Sequence, residues 1–523
     1  MAAQQLLRIV LTAAVLTSRA ASGQSAAPQK PIELIIAATT DIHGRIRGWD
    51  YYTDSAESGR GLSRVAGIFD SLRAAAPGRA LFVDAGDFLQ GNAVTYVASR
   101  PGWTGPNPVI AAMNALKYDA VVLGNHEFNY GLPFLDRTLA AATFPLLAAN
   151  VRRIDGKRSW APAAFFDRGG VRVAVIGVTT PWSMVWDKVT LNKKLQIDDI
   201  VTALHRAVKD ARAAGAQVVV VVAHAGFDPA PGTDAVLPGV GAENPMSTVA
   251  NEVPGIDLIV VGHSHREIAD TTINGVLMVQ PRNWATSVAV ATLQVERNAP
   301  AAGRGRAGRG APSWKVTAKH GVIVRAAGHA EDKAILDLSA TAHAAARKYT
   351  GTTVGKTAVD WRSDSARTRD TPIIDFIGEV MRRTSGADVA STAVFSTRVR
   401  IPAGPVTVAQ LAQLYPYDNF IRVVRMPGDM LKAYIEQSAR YFKVTGTGDA
   451  MHAAPDPTVI GFNYEVLTGA EYTIDLTRPV GDRVVGLRVK GKALGPADSV
   501  NVALTRVVES RAAGPRRRNA GRD

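Results

Sequence analysis

The sequence predicts an α/β domain followed by an α+β domain, and three observations carry that reading. Between Ile32 and about Gln294, six apolar, β-rich runs alternate with helix-like stretches, the pattern of buried strands separated by helices. A helical connector follows, and the remainder mixes helices with strand-like pieces. At 523 residues, 46% of them apolar, the chain has room for two or three cores, and its composition excludes a disordered or collagen-like class.

In chain order, residues 1–29 read as a secretory leader. Arg8 precedes an apolar stretch from Ile9 to Leu16, and the small residues Ala20-Ala21-Ser22-Gly23 offer a cleavage site. The expected location is therefore periplasmic or secreted. No other stretch is apolar for ~18 residues, so no membrane span is expected.

The first domain, 30–330, contains IELIIAA, ALFVDAG, AVVLGN, VRVAVIGV, QVVVVVAH and IDLIVVGH as strands. An Arg-Gly segment, Ala301–Pro312, lies between VAVATLQVE and WKVTAKHGVIV and reads as a long hairpin loop. The connector, 331–350, carries EDKAILDLSATAHAAARK at helical spacing, with Gly351 and Gly355 as breakers. The second domain, 351–513, predicts helices over Pro372–Thr384 and Pro427–Tyr441 and a hairpin across GFNYEVLTGAEYTIDL; a basic tail, 514–523, follows.

The chain has no cysteine, which removes disulfides, thiolate metal sites and Cys nucleophiles, so any metal must sit on N and O ligands. Net charge is +14, yet Arg304, Arg306, Arg309, Arg516, Arg517, Arg518 and Arg522 lie in two low-complexity pieces that cannot pack a core. No specific nucleic-acid partner is expected, and a monomer is.

Chemistry concentrates where strands end. IELIIAATT runs into Asp41-Ile42-His43-Gly44, ALFVDAG into Asp87, AVVLGN into Asn125-His126-Glu127, VVVVVAH into His224, and IDLIVVGH into His263-Ser264-His265. Carboxyl ends of strands in α/β sheets are where ligands bind. Singly, each is an ordinary loop histidine or turn carboxylate. Five strand ends bearing such residues, in a chain with ten histidines, point to one crevice. A bridging carboxylate there can hold two divalent cations ~3.5–4 Å apart to share the charge of a phosphoryl group and activate a water. Mixed His, Asp and Asn ligands suit Mn, Zn, Fe, Co or Ni more than Ca, and Mg is also admitted. A spare histidine beside them can protonate a leaving oxygen.

The motifs DIHG, DAGDFLQG, GNHEFNYG, AHAG and GHSH, in this order, resemble those of the metallophosphoesterases of the 5'-nucleotidase superfamily. The resemblance implies a four-layer αββα metallophosphoesterase domain joined by a helix to a C-terminal α+β substrate domain. Carried over by position, it implies one metal site of Asp41, His43, Asp87 and His265, with Asp87 bridging to a second of Asn125, His224 and His263. His126 then stabilises the transition state or protonates the leaving group. Asn129, where 5'-nucleotidases more often carry Asp, hydrogen-bonds its imidazole.

One branch, the periplasmic 2',3'-cyclic-nucleotide 2'-phosphodiesterase/3'-nucleotidases, is similar also in DYYTDSAESGRGL, WDKVTLNKKLQIDDIV and AENPMSTVANEVPGIDLIVVGHSH. In the second domain, RTRDTPIIDFIGEVMRRTSGADVA and LAQLYPYDN resemble the substrate-domain motifs. They imply Tyr417 stacking on a nucleobase and Arg369 or Arg398 contacting ribose or phosphate. The C-terminal run VALTRVVESRAAGPRRRNAGRD departs from the family, which supplies a second stacking aromatic there.

The resemblance thus implies hydrolysis of 2',3'-cyclic nucleotides and 3'-nucleotides. A 5'-nucleotidase or nucleotide-sugar hydrolase on the same scaffold is the alternative, and a non-catalytic nucleotide or RNA binder is the alternative of another class.

Overall fold

The computed structural model describes residues 31–157, 159–227, 236–297, 314–415, 421–446, 452–457, 459, 461 and 464–505. The expected leader, the Arg-Gly segment, Tyr417 and the basic tail lie outside them. The chain separates into two compact units, Met1–Arg347 and Lys348–Asp523.

The first unit is built on two six-stranded sheets. Its strands are β1 (Ile32–Thr39), β2 (Ala80–Asp84), β3 (Ala120–Val122), β4 (Leu146–Leu147), β5 (Ala163–Arg168), β6 (Val171–Thr179), β7 (Val218–His224), β8 (Leu258–Val261), β9 (Ile268–Ile273), β10 (Val276–Gln280), β11 (Ser287–Arg297) and β12 (Trp314–Arg325). One sheet runs β12-β11-β1-β2-β3-β4 and the other β9-β10-β8-β7-β6-β5. In the first, β1, β2, β3 and β4 pair in parallel while β11 and β12 add antiparallel. In the second, β6, β7, β8 and β10 are parallel and the two edges antiparallel.

Alternation along each strand decides the layers. In β7 every residue is buried, which explains its unbroken apolar run. Val218, Val220 and Val222 join Val173, Val175, Leu258 and Val260 against Leu34, Ile36, Leu81 and Val83 of the other sheet. Val219, Val221 and Ala223 turn the other way, onto helices Ile200–Ala213 and Met246–Glu252 through Ile200, Leu204, Val208 and Val249. Helix Leu62–Ala75 covers the outer face of the first sheet, where Phe69 meets Phe82 at 4.5 Å between ring centroids. The result is helix, sheet, sheet, helix: the four-layer arrangement.

Between β12 and the second unit, Asp332 caps helix Lys333–Leu338, Ser339 interrupts, and helix Ala340–Thr350 continues. In the second unit a four-stranded sheet has the order Ile421–Pro427, Ser499–Thr505, Val389–Ala393, Glu465–Thr468. Helices Pro372–Ser385 and Gly428–Ala439 fall where the sequence places them, the first closed by Gly386 in the left-handed region (φ 70).

The expected hairpin across GFNYEVLTGAEYTIDL is corrected. Glu465–Thr468 pairs with Val389–Ala393, while Ala470–Ile474 pairs with Val484–Val489. Only Gly469, at φ 88, separates the two strands. One residue cannot close a hairpin, which needs two in the loop, so the chain turns a corner between sheets.

Candidate metal centre

The ligand candidates lie at or just beyond the carboxyl ends of β1, β2, β3, β7 and β8, and the turns that hold them are tight. Asp41, His43, Asp87, His263 and His265 all sit at positive φ, at 49°, 47°, 60°, 67° and 53°. Left-handed backbone in non-glycine residues is costly and persists where the surroundings fix it. Here Asp41 N–H donates to the Gly86 carbonyl and His43 N–H to the Asp87 carbonyl, both at 2.8 Å. Asp41 Oδ2 in turn accepts from the His263 amide at 3.0 Å and from Thr40 Oγ1 at 2.6 Å.

Two groups of donors result: Asp41, His43 and His265, and Asp87, His224 and His263, with the ligand atoms of each group within 4.8 Å of one another. In the first, Asp41 Oδ1 is buried without a well-directed hydrogen bond, 3.2 Å from His265 Nε2 and 3.9 Å from His43 Nε2. In the second, His224 Nε2 stands 3.0 Å from Asp87 Oδ2 and 3.1 Å from Asn125 Oδ1. Glu243 Oε1 lies 3.2 Å from His263 Nε2, on the rim of that group.

The tautomers are set from behind. His43 Nδ1 lies 2.7 Å from the Gln90 carbonyl and His224 Nδ1 2.7 Å from the Ala85 carbonyl. A carbonyl only accepts, so each Nδ1 carries a proton and each Nε2 is the nitrogen turned inward, the orientation of a metal-ligating imidazole.

The charge balance tells the same story. Burial pushes His43 down to about 3, so its ring is neutral. Burial also works against His224, but the Asp87 charge and their direct hydrogen bond outweigh it and hold the ring at about 10. Asp41, despite burial, is held at about 2 by the His265 imidazole beside it and the His224 charge, and Asp87, despite burial, lies well below the usual carboxylate range beside His224 and His126. Two buried carboxylates leaning on surrounding imidazoles form a cation site in which a proton substitutes for the ion. The residues present therefore fit a pair of divalent ions.

His126 is half-buried beside both groups, its ring centroid 5.2 Å from that of His43 and its Nε2 4.0 Å from Asp87 Oδ2. Its Nδ1 lies 2.6 Å from Asn129 Oδ1. All nine first-unit candidates named from the sequence thus gather in one place. In the second unit Arg369 and Arg398 are both exposed, on segments joined by Arg367, whose guanidinium donates to the Val394 carbonyl.

Sequence reasoning missed two acids. Glu127 is fully buried and accepts four backbone amides, Asp87 and Gly124 on one oxygen and Phe88 and Leu89 on the other, at 2.7–2.9 Å. It clamps the Asp87 turn to the GNHE turn, and burial with the Asp87 charge pushes it up to about 7. Its signal was its place in the strand-end run Asn125-His126-Glu127, where the sequence shows a carboxylate but not the amides it accepts. Asp187 is the second: it stands in the run WDKVTLNKKLQIDDIV, but nothing there marks it as a partner of Asn129.

Residues 34–267 match the calcineurin-like phosphoesterase family model and residues 353–512 match the 5'-nucleotidase C-terminal domain. The chain is 29% identical to the 2',3'-cyclic-nucleotide 2'-phosphodiesterase/3'-nucleotidase of Haemophilus influenzae, over 89% of this chain and 78% of that protein. It is 31% identical to the trifunctional nucleotide phosphoesterase protein YfkN of Bacillus subtilis over 91% of this chain, and spans only 35% of that relative's length. The solved structure of the calcineurin-like phosphoesterase YfkN from Bacillus subtilis is 33% identical, with a TM-score of 0.54, over 61% of this chain and 99% of that one.

Proposed function

Because the chain belongs to the calcineurin-like phosphoesterases that carry a 5'-nucleotidase C-terminal domain, hydrolases of phosphate esters, we propose that it is a dinuclear-metal nucleotide phosphoesterase acting on 2',3'-cyclic nucleotides and 3'-nucleotides. The observation that carries the reading is the convergence of the two donor groups with His126 beside them. Asp41, His43 and His265 with Asp87 would hold one divalent ion, and Asp87, Asn125, His224 and His263 the other. When bound, such a pair supplies positive charge to the phosphoryl oxygens and acidifies an attacking water.

The protein's own contribution is position and a proton. Water oxygen bonds to phosphorus as the bond to the sugar oxygen breaks in line, and the departing oxygen takes a proton. His126 is placed to give it, with Nδ1 engaged by Asn129 and Nε2 turned toward Asp87. On a 2',3'-cyclic ester the bond to the 2'-oxygen breaks and leaves a 3'-nucleotide. In a second round the bond to the 3'-oxygen breaks, releasing phosphate and nucleoside.

The choice of substrate is supported by the branch motifs around Asp187 and Asn244 and by the relative named for that activity. Arg369 and Arg398 are the candidates for ribose or phosphate contacts, with Tyr417 for the base. Export directed by residues 1–29 belongs to the same proposal. Phosphate and nucleoside release with Mn²⁺ from 2',3'-cyclic AMP, 3'-AMP, 5'-AMP and a nucleotide sugar tests it. Preference for the first two is expected; preference for 5'-AMP overturns the substrate and favours the 5'-nucleotidase reading.

A further inference from the structure

Fifty-eight residues beyond Asn129 in the chain, a buried carboxylate meets its amide: Asn129 Nδ2 donates to both oxygens of Asp187 at 3.1 Å, and Asp187 is 2% exposed. Asp187 sits at the junction of two short helices, Ser183–Trp186 and Lys188–Leu191. Its backbone is fixed there by N–H donation to the Ser183 carbonyl and by amides of Thr190 and Leu191 on its own carbonyl. The backbone that carries the carboxylate is therefore fixed independently of the site it faces.

We propose that Asp187 is a positioning residue for His126, acting through Asn129. An ionised carboxylate only accepts hydrogen bonds, so the amide of Asn129 must turn its nitrogen to Asp187 and its oxygen to His126. That oxygen also only accepts, so His126 Nδ1 must carry a proton whatever the state of the ring. Nε2, on the side of Asp87, is then the nitrogen that takes and gives up a proton. Without Asp187 the amide is free to flip. A flipped amide would present N–H to Nδ1, oppose the doubly protonated ring, and favour the tautomer whose proton sits on Nε2 with no charge behind it. The chain thus places its acid one residue further from the imidazole than an Asp at position 129 would, and uses an amide to carry the orientation.

The inference rests on the proposed phosphoesterase reading, and the test separates the two. The full-length, metal-loaded protein is assayed with 3'-AMP, whose sugar oxygen needs a proton on departure, and with p-nitrophenyl phosphate, whose phenolate does not. Asp187→Asn keeps the shape but can offer the amide either a donor or an acceptor. It is expected to lose about 10- to 100-fold in kcat on 3'-AMP with little change in KM, and under about threefold on p-nitrophenyl phosphate, as removal of general-acid assistance does. The double variant Asn129→Asp/Asp187→Asn, which moves the charge next to the ring and lets the new amide donate to it, is expected to restore most of that loss.

Side-chain ¹⁵N spectra of the metal-free protein give a readout independent of turnover. At a pH where the ring is neutral, His126 is expected as the Nδ1–H tautomer in the unmodified chain and as a mixture in Asp187→Asn. Equal losses on both esters, an undiminished kcat, or an unchanged tautomer would overturn the inference. Absence of turnover in the unmodified chain would overturn the reading beneath it instead.

Discussion

Gly124 shows how little room the centre leaves. A β-carbon added there would lie 2.2 Å from Asp87 Oδ1 and 2.5 Å from the Asp87 amide. Gly124→Ala must therefore push the shared carboxylate aside, and metal analysis of the purified variant should find the second ion lost, with turnover down by at least about 100-fold if the two-ion assignment holds. A variant that keeps two ions and its rate would show that Asp87 is not shared.

Protons and ions compete for the same ligands. In the metal-free chain His224 is raised from 6.5 to about 10, so its ring is charged at neutral pH and must shed a proton when an ion binds. Rising pH removes the competitor, and apparent affinity for Mn²⁺ should climb by up to about tenfold per pH unit between pH 6 and 9. The pairing of His224 with Asp87 contributes stability to the metal-free fold below pH 6.5 that fades toward pH 10. Calorimetric titration across that range checks the slope, and a flat affinity would place the ion elsewhere.

What was legible in these residues was chemical type at a strand end. Asp41, Asp87, Asn125, His224 and His263 stand out because an apolar run stops at them. Asp187 meets the site at Asn129, 58 positions away, and Glu127 accepts amides of Asp87, Phe88 and Leu89 that the fold brings to it.

Strands explain why those ligands converge. The inner faces of β7 and β8 pack on β1 and β2, so the ends of strands from both sheets are held by one apolar layer. Leu258, fully buried in that layer and three residues from the end of β8, is the direct probe. Leu258→Ala should cost about 2–5 kcal/mol in denaturant unfolding while leaving the ligands in place, so that the folded variant still binds two ions. A loss of ions at undiminished stability would separate the ligand turns from the core and contradict this picture.

Buried parallel strands are among the easiest elements to read, since both faces are apolar and the run is continuous. The corner at Gly469 was not readable, because the two strands beside it alternate just as a hairpin would, and only their partners, Val389–Ala393 and Val484–Val489, distinguish the cases. The left-handed turns of Asp41, His43 and His265 left no mark either, since none is glycine.

Across the molecule, the centre is a property of one unit: Asp41 through His265, with His126, Asn129 and Asp187, all fall within Met1–Arg347. The second unit carries the residues proposed to choose the substrate, and there the sequence was least informative, with Tyr417 outside the described residues and Arg369 and Arg398 exposed. A formal charge of +14 suits an anionic substrate without naming one. The central claim is that two ions on this one constellation make the chain a phosphoesterase. The most direct test strips the full-length protein with EDTA, returns Mn²⁺ in measured equivalents, and follows phosphate release from 3'-AMP. The account predicts no turnover in the stripped protein and a rise to a plateau at two ions per chain. Full turnover without added metal, or a plateau at one, would contradict it.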